Sequence, residues 1–592
     1  MTTETFIPGK DLALETTIAT MQATLAQRGF TLTESPLLHE VEGVWSLHVK
    51  DSACPMLFAN GKGATALAAR ASAYAEFFER LGTHYVWTPY YLGAQRAQAP
   101  FVHYPHEQWF VPAADGAWPA AMLNPELHAF YNPDGDIDAA VLVDLNSGNA
   151  ARGICTLPYT RVRDGSTTYI PVNIIANLYV SNGMAAGNTI REARAQALSE
   201  IFERAIKYRI IAEGLCLPAV PDDVIDRYPA IAAGIAALRA AGFGILVKDA
   251  SLGGKYPVMN VTLINPQDQG VYASFGAHPR LAIALERALT ELLQGRPLDA
   301  LAGFPAPAFD LADITAVDNL ERHFVDSSGV LGWDFLSDTS DYPFVDWNFS
   351  TTTDGDYQWL VDAIHAEGKE IYVADFEEQG AYSCRILVPG FSEIYPIDDL
   401  EWENNSLGNA LRPQLVRLHD LSVQECTTLL AELQTSNLND ERPVWEILGL
   451  AVAPGTPWKQ LRIGELKTLL ALVVGDEEAV LEGCYWIQHY GDLPRPRLLV
   501  YRCIDSIIRL EEPDNYRQAL ALLYGAQTVA LAEALLEGAE RFFGLDNLGP
   551  NYEASPLHQG LLAAYDKLFV AEAATTPHPP ATPAATPGSA TP

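Results

Sequence analysis

The chain has 592 residues, 48% of them hydrophobic and 10% aromatic, enough to bury several cores, and at about 150 residues per domain the length corresponds to two to four domains. With 38 Lys and Arg against 74 Asp and Glu the formal charge is −36, which argues against a nucleic-acid groove, because such a groove needs a basic stripe. Any phosphate or protein partner must then be met by locally placed arginines or by bound metal.

The first residues are polar and acidic, with neither a basic n-region nor an apolar core, so no signal peptide is expected. Leu12 to Arg28 has helical spacing, with Lys10 in a Pro-Gly turn just before it, and Val44 to Val49 alternates like a strand. An Ala-rich helix follows, ending in Glu76-Phe77-Phe78-Glu79-Arg80. Between Ala64 and Leu81 its only charges are Arg70, Glu76, Glu79 and Arg80, the pattern of a helix apolar nearly all round and therefore buried. The aromatic run from His84 to Tyr91 reads as core or interface packing. Pro and Gly punctuation from Pro100 to Gly148 predicts long loops, and Leu157 to Ile175 reads as a hairpin turning at Asp164-Gly165.

Asn182 to Asn188 is Gly-rich and leads into a second helix ending Glu200-Ile201-Phe202-Glu203-Arg204. A loop of this kind at a helix start offers free backbone N–H groups to an anion, the plain alternative being a start capped by Asn188 or Thr189. This helix repeats the first 124 positions later, in register through Gly63/Gly187, Thr65/Thr189, Ala69/Ala193, Ala71/Ala195 and Ala73/Ala197. A weaker third copy places Glu291 over Glu200 and turns the second carboxylate into Gln294. Ala230 to Val247, the one membrane-like stretch, divides more naturally into a helix and a strand. Strands are predicted near 258–263 and 270–275, with mixed strand and loop at 341–347 and 370–375. Together these give an α+β domain of degenerate repeats over 1–405. From 406 to 572 helical periodicity takes over, at 464–474, 477–489, 497–510, 516–525 and 528–543. This predicts an all-α, tetratricopeptide-like region, with a plain helical lid or dimer interface equally compatible. The last stretch, 573–592, is rich in Pro, Ala and Thr and reads as a disordered tail.

Residues three apart on a helix share a face, so each strong copy presents two carboxylates side by side. A solvated helix face is the ordinary meaning of such a pair, but on buried helices the carboxylates must be neutralised by protonation, a cation or a metal. Hard oxygen ligands without imidazole suit magnesium or manganese, and a di-iron bundle would need Glu-x-x-His. Arginine is well shaped to hold phosphate oxygens, making Arg80, Arg204 and Arg287 candidates. No P-loop exists, since Gly9-Lys10, Gly61-Lys62, Gly254-Lys255 and Gly368-Lys369 are followed by Asp, Gly, Tyr and Glu. A magnesium–nucleotide site of another kind is expected. The seven cysteines are scattered without Cys-x-x-Cys, which predicts buried free thiols in a reducing cytosol.

The paired motifs Ser72 to Arg80 and Ser199 to Arg204, the later Glu286 to Arg296 and the opening Phe6 to Lys10 resemble the YcaO family, over nearly the whole length. The resemblance implies an ATP site with Mg2+ held by Glu76, Glu79, Glu200, Glu203 and Glu291. It implies nucleotide contacts from Lys10, Ser72, Asn188, Glu192, Arg204 and Arg287, with Glu76, Glu200, Arg204 and Arg287 as the catalytic set. Family members use ATP to activate an amide oxygen for attack on the carbonyl. The accessory-factor branch is linked to β-methylthiolation of an aspartate in a small-subunit ribosomal protein, with a ribosomal methylthiotransferase as partner in the cytoplasm. Peptide-cyclising relatives carry a Pro-x-Pro-x-Pro terminus, whereas Pro577-His578-Pro579-Pro580 offers one Pro-x-Pro step, which speaks against cyclodehydratase chemistry. The other reading is a non-catalytic, ATP-controlled adaptor that docks the methylthiotransferase through the helical region. No membrane or direct nucleic-acid binding is expected, and a homodimer is left open.

Overall fold

The computed structural model describes residues 4–377, 381–402, 404–436 and 438–575. Most of the expected tail, 576–592, lies outside the described residues.

Thirteen strands form three antiparallel sheets among the described residues. In the first, β3 (Val44–Asp51) is flanked by β1 (Leu32–Glu34), β2 (Leu38–Val41) and β4 (Phe58–Gly63). The second has the order β5 (Gln108–Phe110), β6 (Ile154–Arg161), β12 (Tyr372–Phe376), β13 (Tyr382–Leu387) and β8 (Met184–Gly187), with β7 (Thr167–Pro171) also on β6. The third is the meander β9 (Gly244–Asp249), β10 (Val258–Ile264), β11 (Val271–Ala277). Helix α1 (Leu14–Gln27) precedes the first sheet. Three further helices, α2 (Ala66–Gly82), α3 (Ile190–Ala212) and α5 (Leu281–Leu292), each follow a strand and fold back on it, while α4 (Pro229–Ala240) leads into β9.

Glycine lets these helices lie close. A Cβ on Gly61 of β4 would meet Ala69 O at 2.1 Å and Ala73 N at 2.2 Å. One on Gly187 would come 2.7 Å from Ala193 N, and one on Gly276 of β11 2.4 Å from both Ala284 O and Ala288 N. Each contact pairs a strand glycine with the small face of an Ala-rich helix, so strand and helix backbones touch. The sequence repeat is also a repeat of backbone. Thr65 caps α2 at φ −136°, ψ 158° and Thr189 caps α3 at φ −135°, ψ 159°, each hydroxyl accepting from the amide three residues on.

Several expectations shift in detail. The predicted second arm of the hairpin ends at Pro171, after which the chain turns helical. The Gly-rich segment before α3 is largely not a loop. Residues 184–187 form the edge strand β8, their ladder supplied by β13 nearly two hundred residues later, and Gly183 O accepts from Ile386 N at 2.7 Å. The stretch 341–347 contains no strand, and 370–375 contributes β12. All seven cysteines are buried and free.

Helices α6 (Val317–Val325) and α7 (Thr353–Ala366) precede β12, and beyond β13 the described chain becomes helical. Helices α8 (Val423–Thr435), α9 (Ile463–Val474), α10 (Glu477–His489) and α11 (Arg495–Arg509) pack in succession, followed by the shorter α12 (Arg517–Tyr524) and α13 (Ala526–Leu536). Gly475 ends α9 in the left-handed region at φ +79° and Asp476 caps α10, as the Gly-Asp turn predicts. The last helix among the described residues, α14 (Pro556–Thr575), returns to the amino-terminal core. Leu561, Leu562, Tyr565 and Leu568 pack among Met21, Leu25, Phe30, Phe77 and Phe78. Trp87 Nε1 donates to Leu561 O at 3.2 Å, and Tyr565 Oη to Val102 O at 2.5 Å. His558 donates from Nε2 to Tyr91 O at 2.9 Å and accepts at Nδ1 from Ala451 N at 3.1 Å; burial pushes its pKa down to about 4, which keeps the ring neutral. No helix among the described residues is long and apolar enough to cross a membrane.

The close strand–helix approach is open to a direct test. Gly61→Ala is expected to push β4 off α2 and cost about 1–3 kcal/mol, read as a lowered Tm, whereas alanine at Gly368, where nothing lies within 4 Å, acts through backbone strain alone.

Candidate functional site

On α2, Ser72, Glu76 and Glu79 fall on one face by helical spacing, and on α3 the repeat places Gln196, Glu200 and Glu203 the same way. The two helices also repeat their ion pair. Arg80 lies 2.6 Å from Glu76 and Arg204 2.8 Å from Glu200, each one turn apart on its own helix. Helix α5 adds Glu291 and, one turn earlier, Arg287, which donates to Gln196 Oε1 on α3 and, at 2.7 Å, to Ala277 O. Lys62, at the end of β4, pairs with Glu291 and faces Glu203, Glu76 and Glu200. All five predicted metal-binding glutamates, with Arg204 and Arg287, are thus brought to one region.

The electrostatics of the region are unfavourable in a specific way. Burial, reinforced by the charges of Glu200 and Glu76, holds the Glu79 carboxyl well above its ordinary 4.5, against the pull of Arg80 and Arg204. Burial also raises Glu76 and Glu200, although Arg80 opposes it at the first and Arg204 at the second. Burial lowers Lys62 and Arg287, with Glu203 the largest opposing charge for each. Yet the side chains of Glu76, Glu200 and Glu291 remain 23%, 21% and 32% exposed. Groups enclosed by protein but partly open to solvent line a cleft rather than fill a core.

The remaining predicted contacts form a second group at the start of α3. Glu192, 3% exposed, takes Lys10 Nζ at 3.1 Å, Asn188 Nδ2 at 3.0 Å and Asp11 N at 3.0 Å, while Asn188 Oδ1 accepts from Thr17 Oγ1 at 2.8 Å. Lys10 is therefore fixed to α3. His278 connects the groups: burial, with Arg287, Arg280 and Lys10 around it, pushes its pKa down to about 2 and leaves it neutral. Arg280 is held in turn by Asp356 of α7, at 2.6 and 3.2 Å. The polar band from Glu192 to Glu203 follows α3 for about 16 Å.

Among the described residues no three His, Cys, Asp or Glu side chains are gathered around a single point. The glutamates predicted as one ligand set share a region but Glu76, Glu200 and Glu291 are turned to cations, because Arg80, Arg204 and Lys62 stand within reach. The fit to divalent cations and phosphate rests on two other observations. Five carboxylates face four cationic groups, Lys62, Arg80, Arg204 and Arg287, in a place where burial already disfavours charge. And Arg204 Nη1 is buried with no hydrogen-bond partner among the described residues, a donor for which an anionic oxygen is the natural acceptor. Sequence reasoning missed Lys62, Gln196, His278, Arg280 and Asp356. Gln196 was accessible, since it stands where the repeat aligns it with Ser72; Lys62 was discounted once its Gly-Lys pair failed as a P-loop.

Comparison with known proteins shows which family the chain is similar to. Residues 60–392 match the profile of a family described as YcaO cyclodehydratase, ATP- and Mg2+-binding, and residues 408–574 that of the YcaO cyclodehydratase C-terminal domain. The chain is 47% identical over 581 residues to the ribosomal protein S12 methylthiotransferase accessory factor YcaO of Escherichia coli K12, covering 97% of this chain and 99% of the relative. It is 45% identical over 580 residues to an uncharacterized protein of Haemophilus influenzae, covering 96% and 98%. Among solved structures, YcaO from Methanopyrus kandleri bound with AMPPCP and Mg2+ is similar at 17% identity and a TM-score of 0.39, over 67% of this chain and 96% of that one. The chain belongs to the YcaO family, which is described as ATP- and Mg2+-binding.

Proposed function

We propose that this chain binds ATP with Mg2+ on the joint face of α2, α3 and α5 and uses it to activate an amide or carboxyl oxygen, in support of β-methylthiolation of an aspartate in a small-subunit ribosomal protein. The observation that carries the reading is the crowding of Glu76, Glu79 and Glu200, each held above its ordinary pKa, on helices related by sequence. The name of the Escherichia coli relative suggests the biological setting and the partners, a ribosomal methylthiotransferase and its ribosomal-protein substrate, and we place the activity in the cytoplasm.

Bound Mg2+ATP would supply an electrophilic phosphorus and a leaving group. The chain supplies position and charge. Glu76, Glu79, Glu200, Glu203 and Glu291 would hold the cations. Arg204 would direct its unpartnered Nη1 to a phosphate oxygen, and Arg287 would fix Gln196 beside it. Ser72 lies on the same face of α2 as Glu76. Lys10, Asn188 and Glu192 would close the other end of the band, where the amino-terminal segment is tied to α3. Residues 1–405 would form this ATP unit and 406–572 a helical, tetratricopeptide-like partner region.

The adaptor reading is favoured by Leu522 and Leu523, 81% and 72% exposed on α12. Separating the nucleotide products formed with and without the ribosomal methylthiotransferase decides between the two: release of ADP or AMP that rises with the partner supports the enzyme, and binding without turnover the adaptor.

Glu76→Ala and Glu200→Ala are expected to lower ATP turnover by at least about 100-fold with the circular dichroism spectrum unchanged; full ATPase activity in either variant removes the assignment. A second expectation concerns pH. A carboxyl whose pKa rises on folding stabilises the fold below its unfolded value, here 4.5, and that contribution is lost as pH climbs through the folded value. Without divalent cations, Tm should therefore fall relative to Glu79→Gln as pH rises above 4.5. Mg2+ATP should raise Tm in wild type but not in the variant, as differential scanning fluorimetry would show.

A further inference from the structure

A cavity of about 510 Å3 opens beside the carboxylate region and shares Arg204 with it. The far half of α3 forms one wall through Ile206 and Lys207, and α6 forms another through Leu320 and Phe324. The Arg204 guanidinium lies over the Phe324 ring at 4.4 Å. Two side chains more than nine-tenths buried also line the cavity, and each keeps one polar atom without a hydrogen-bond partner among the described residues: Asn182 at Oδ1 and His323 at Nδ1. Asn182 gives its Nδ2 to Ser392 O, and His323 Nε2 meets Val330 O. Burial pushes the His323 pKa down to about 4, so the ring is neutral with Nδ1 an acceptor. The cavity thus combines largely apolar walls with the Arg204 guanidinium and with two buried residues, Asn182 and His323, that each hold a polar atom short of a partner among the described residues.

Its mouth leads to an unusual surface. Val317 lines the cavity and is also 62% exposed. In the same segment Phe309 is 87% exposed and stacks on Trp333, itself 48% exposed, at 5.6 Å between ring centroids, and Leu311 is 56% exposed. The backbone holds the two aromatic arms together, Ala308 N donating to Leu331 O and Trp333 N to Ala308 O. Between Phe309 and Asp341 stand Asp310, Asp313, Asp318, Glu321, Asp326, Asp334, Asp338 and Asp341, against Arg322 as the lone Lys or Arg. Exposed aromatic surface within an acidic rim is complementary to a chain that carries apolar anchors among positive charges.

We propose that the 309–341 segment and the cavity behind it form one binding site for a basic polypeptide, which lies across the Phe309–Trp333 shelf and places an apolar side chain past Val317 toward Arg204. The proposal rests on the reading above only for its purpose: Arg204 would let the occupant of the cavity meet the chemistry supported by Glu200. Binding itself needs no nucleotide.

The test uses the full-length protein without ATP and a short fluorescein-labelled peptide of Lys, Arg and Leu, with fluorescence anisotropy at physiological salt. Wild type is expected to bind it at least about tenfold more tightly than a peptide with Ser in place of Leu. Phe309→Ser with Trp333→Ser, and separately Val317→Lys, should each weaken binding about tenfold or more with Tm little changed, since Phe309 and Val317 are largely exposed and Trp333 about half. Glu477→Gln, Glu478→Gln and Glu482→Gln together, which remove acidic charge from exposed positions of α10 outside the segment, should leave binding intact. Glu79→Gln should also keep peptide binding while losing the Mg2+ATP response, so the fate of the ATP site is read separately. Equal loss in the α10 variant, or retention in both shelf variants, overturns the proposal. So does sedimentation as a dimer that Phe309→Ser dissolves, which would make a second copy of this chain the occupant.

Discussion

Carboxylates enclosed by protein cannot all carry charge unless cations stand among them, and this chain sets five on helices pressed into the same region. What presses them there is backbone contact. Glycines on β4, β8 and β11 let alanine faces of α2, α3 and α5 approach without side chains between, so the polar faces have little freedom to separate. Lys62 is the protein's own answer to the resulting repulsion, reaching Glu291 while facing three more carboxylates. Its flanking glycines are those that admit α2, so the element that creates the crowding also delivers the lysine that relieves part of it.

The carboxylate faces were legible in the sequence because helical spacing and a 124-residue repeat are both local patterns, and the shared capping geometry of Thr65 and Thr189 shows the repeat surviving as backbone. Lys62 was not legible, since its counterpart under the repeat is Ala186 and a Gly-Lys-Gly triplet says nothing about what faces it. The Arg280–Asp356 pair was hidden for another reason: its members lie 76 residues apart on unrelated elements. The Gly-rich segment before α3 was misread as a loop because its strand character comes from β13, and a local window contains no sign of that partner. Tertiary pairing overrode composition there.

Arg204 is the hinge between the two halves of the functional reading. It pairs with Glu200 on one side and lies over Phe324 on the other, so a single guanidinium borders both the charged cleft and the apolar cavity. An arginine serves here where a lysine would not, because its planar fork can satisfy an anion while its face rests on an aromatic ring.

The return of α14 to the amino-terminal core carries a consequence for how the molecule is made. Lys567 Nζ bonds to Gly29 O across 538 positions of sequence, and Trp87 to Leu561 across 474. A nascent chain emerges amino terminus first, and its early segments ordinarily fold as they appear. Here the cluster around Phe30, Phe77 and Phe78 keeps an open side until α14 leaves the ribosome, so completion of that core, and with it the seating of α2, waits for a helix made 474 positions after Trp87.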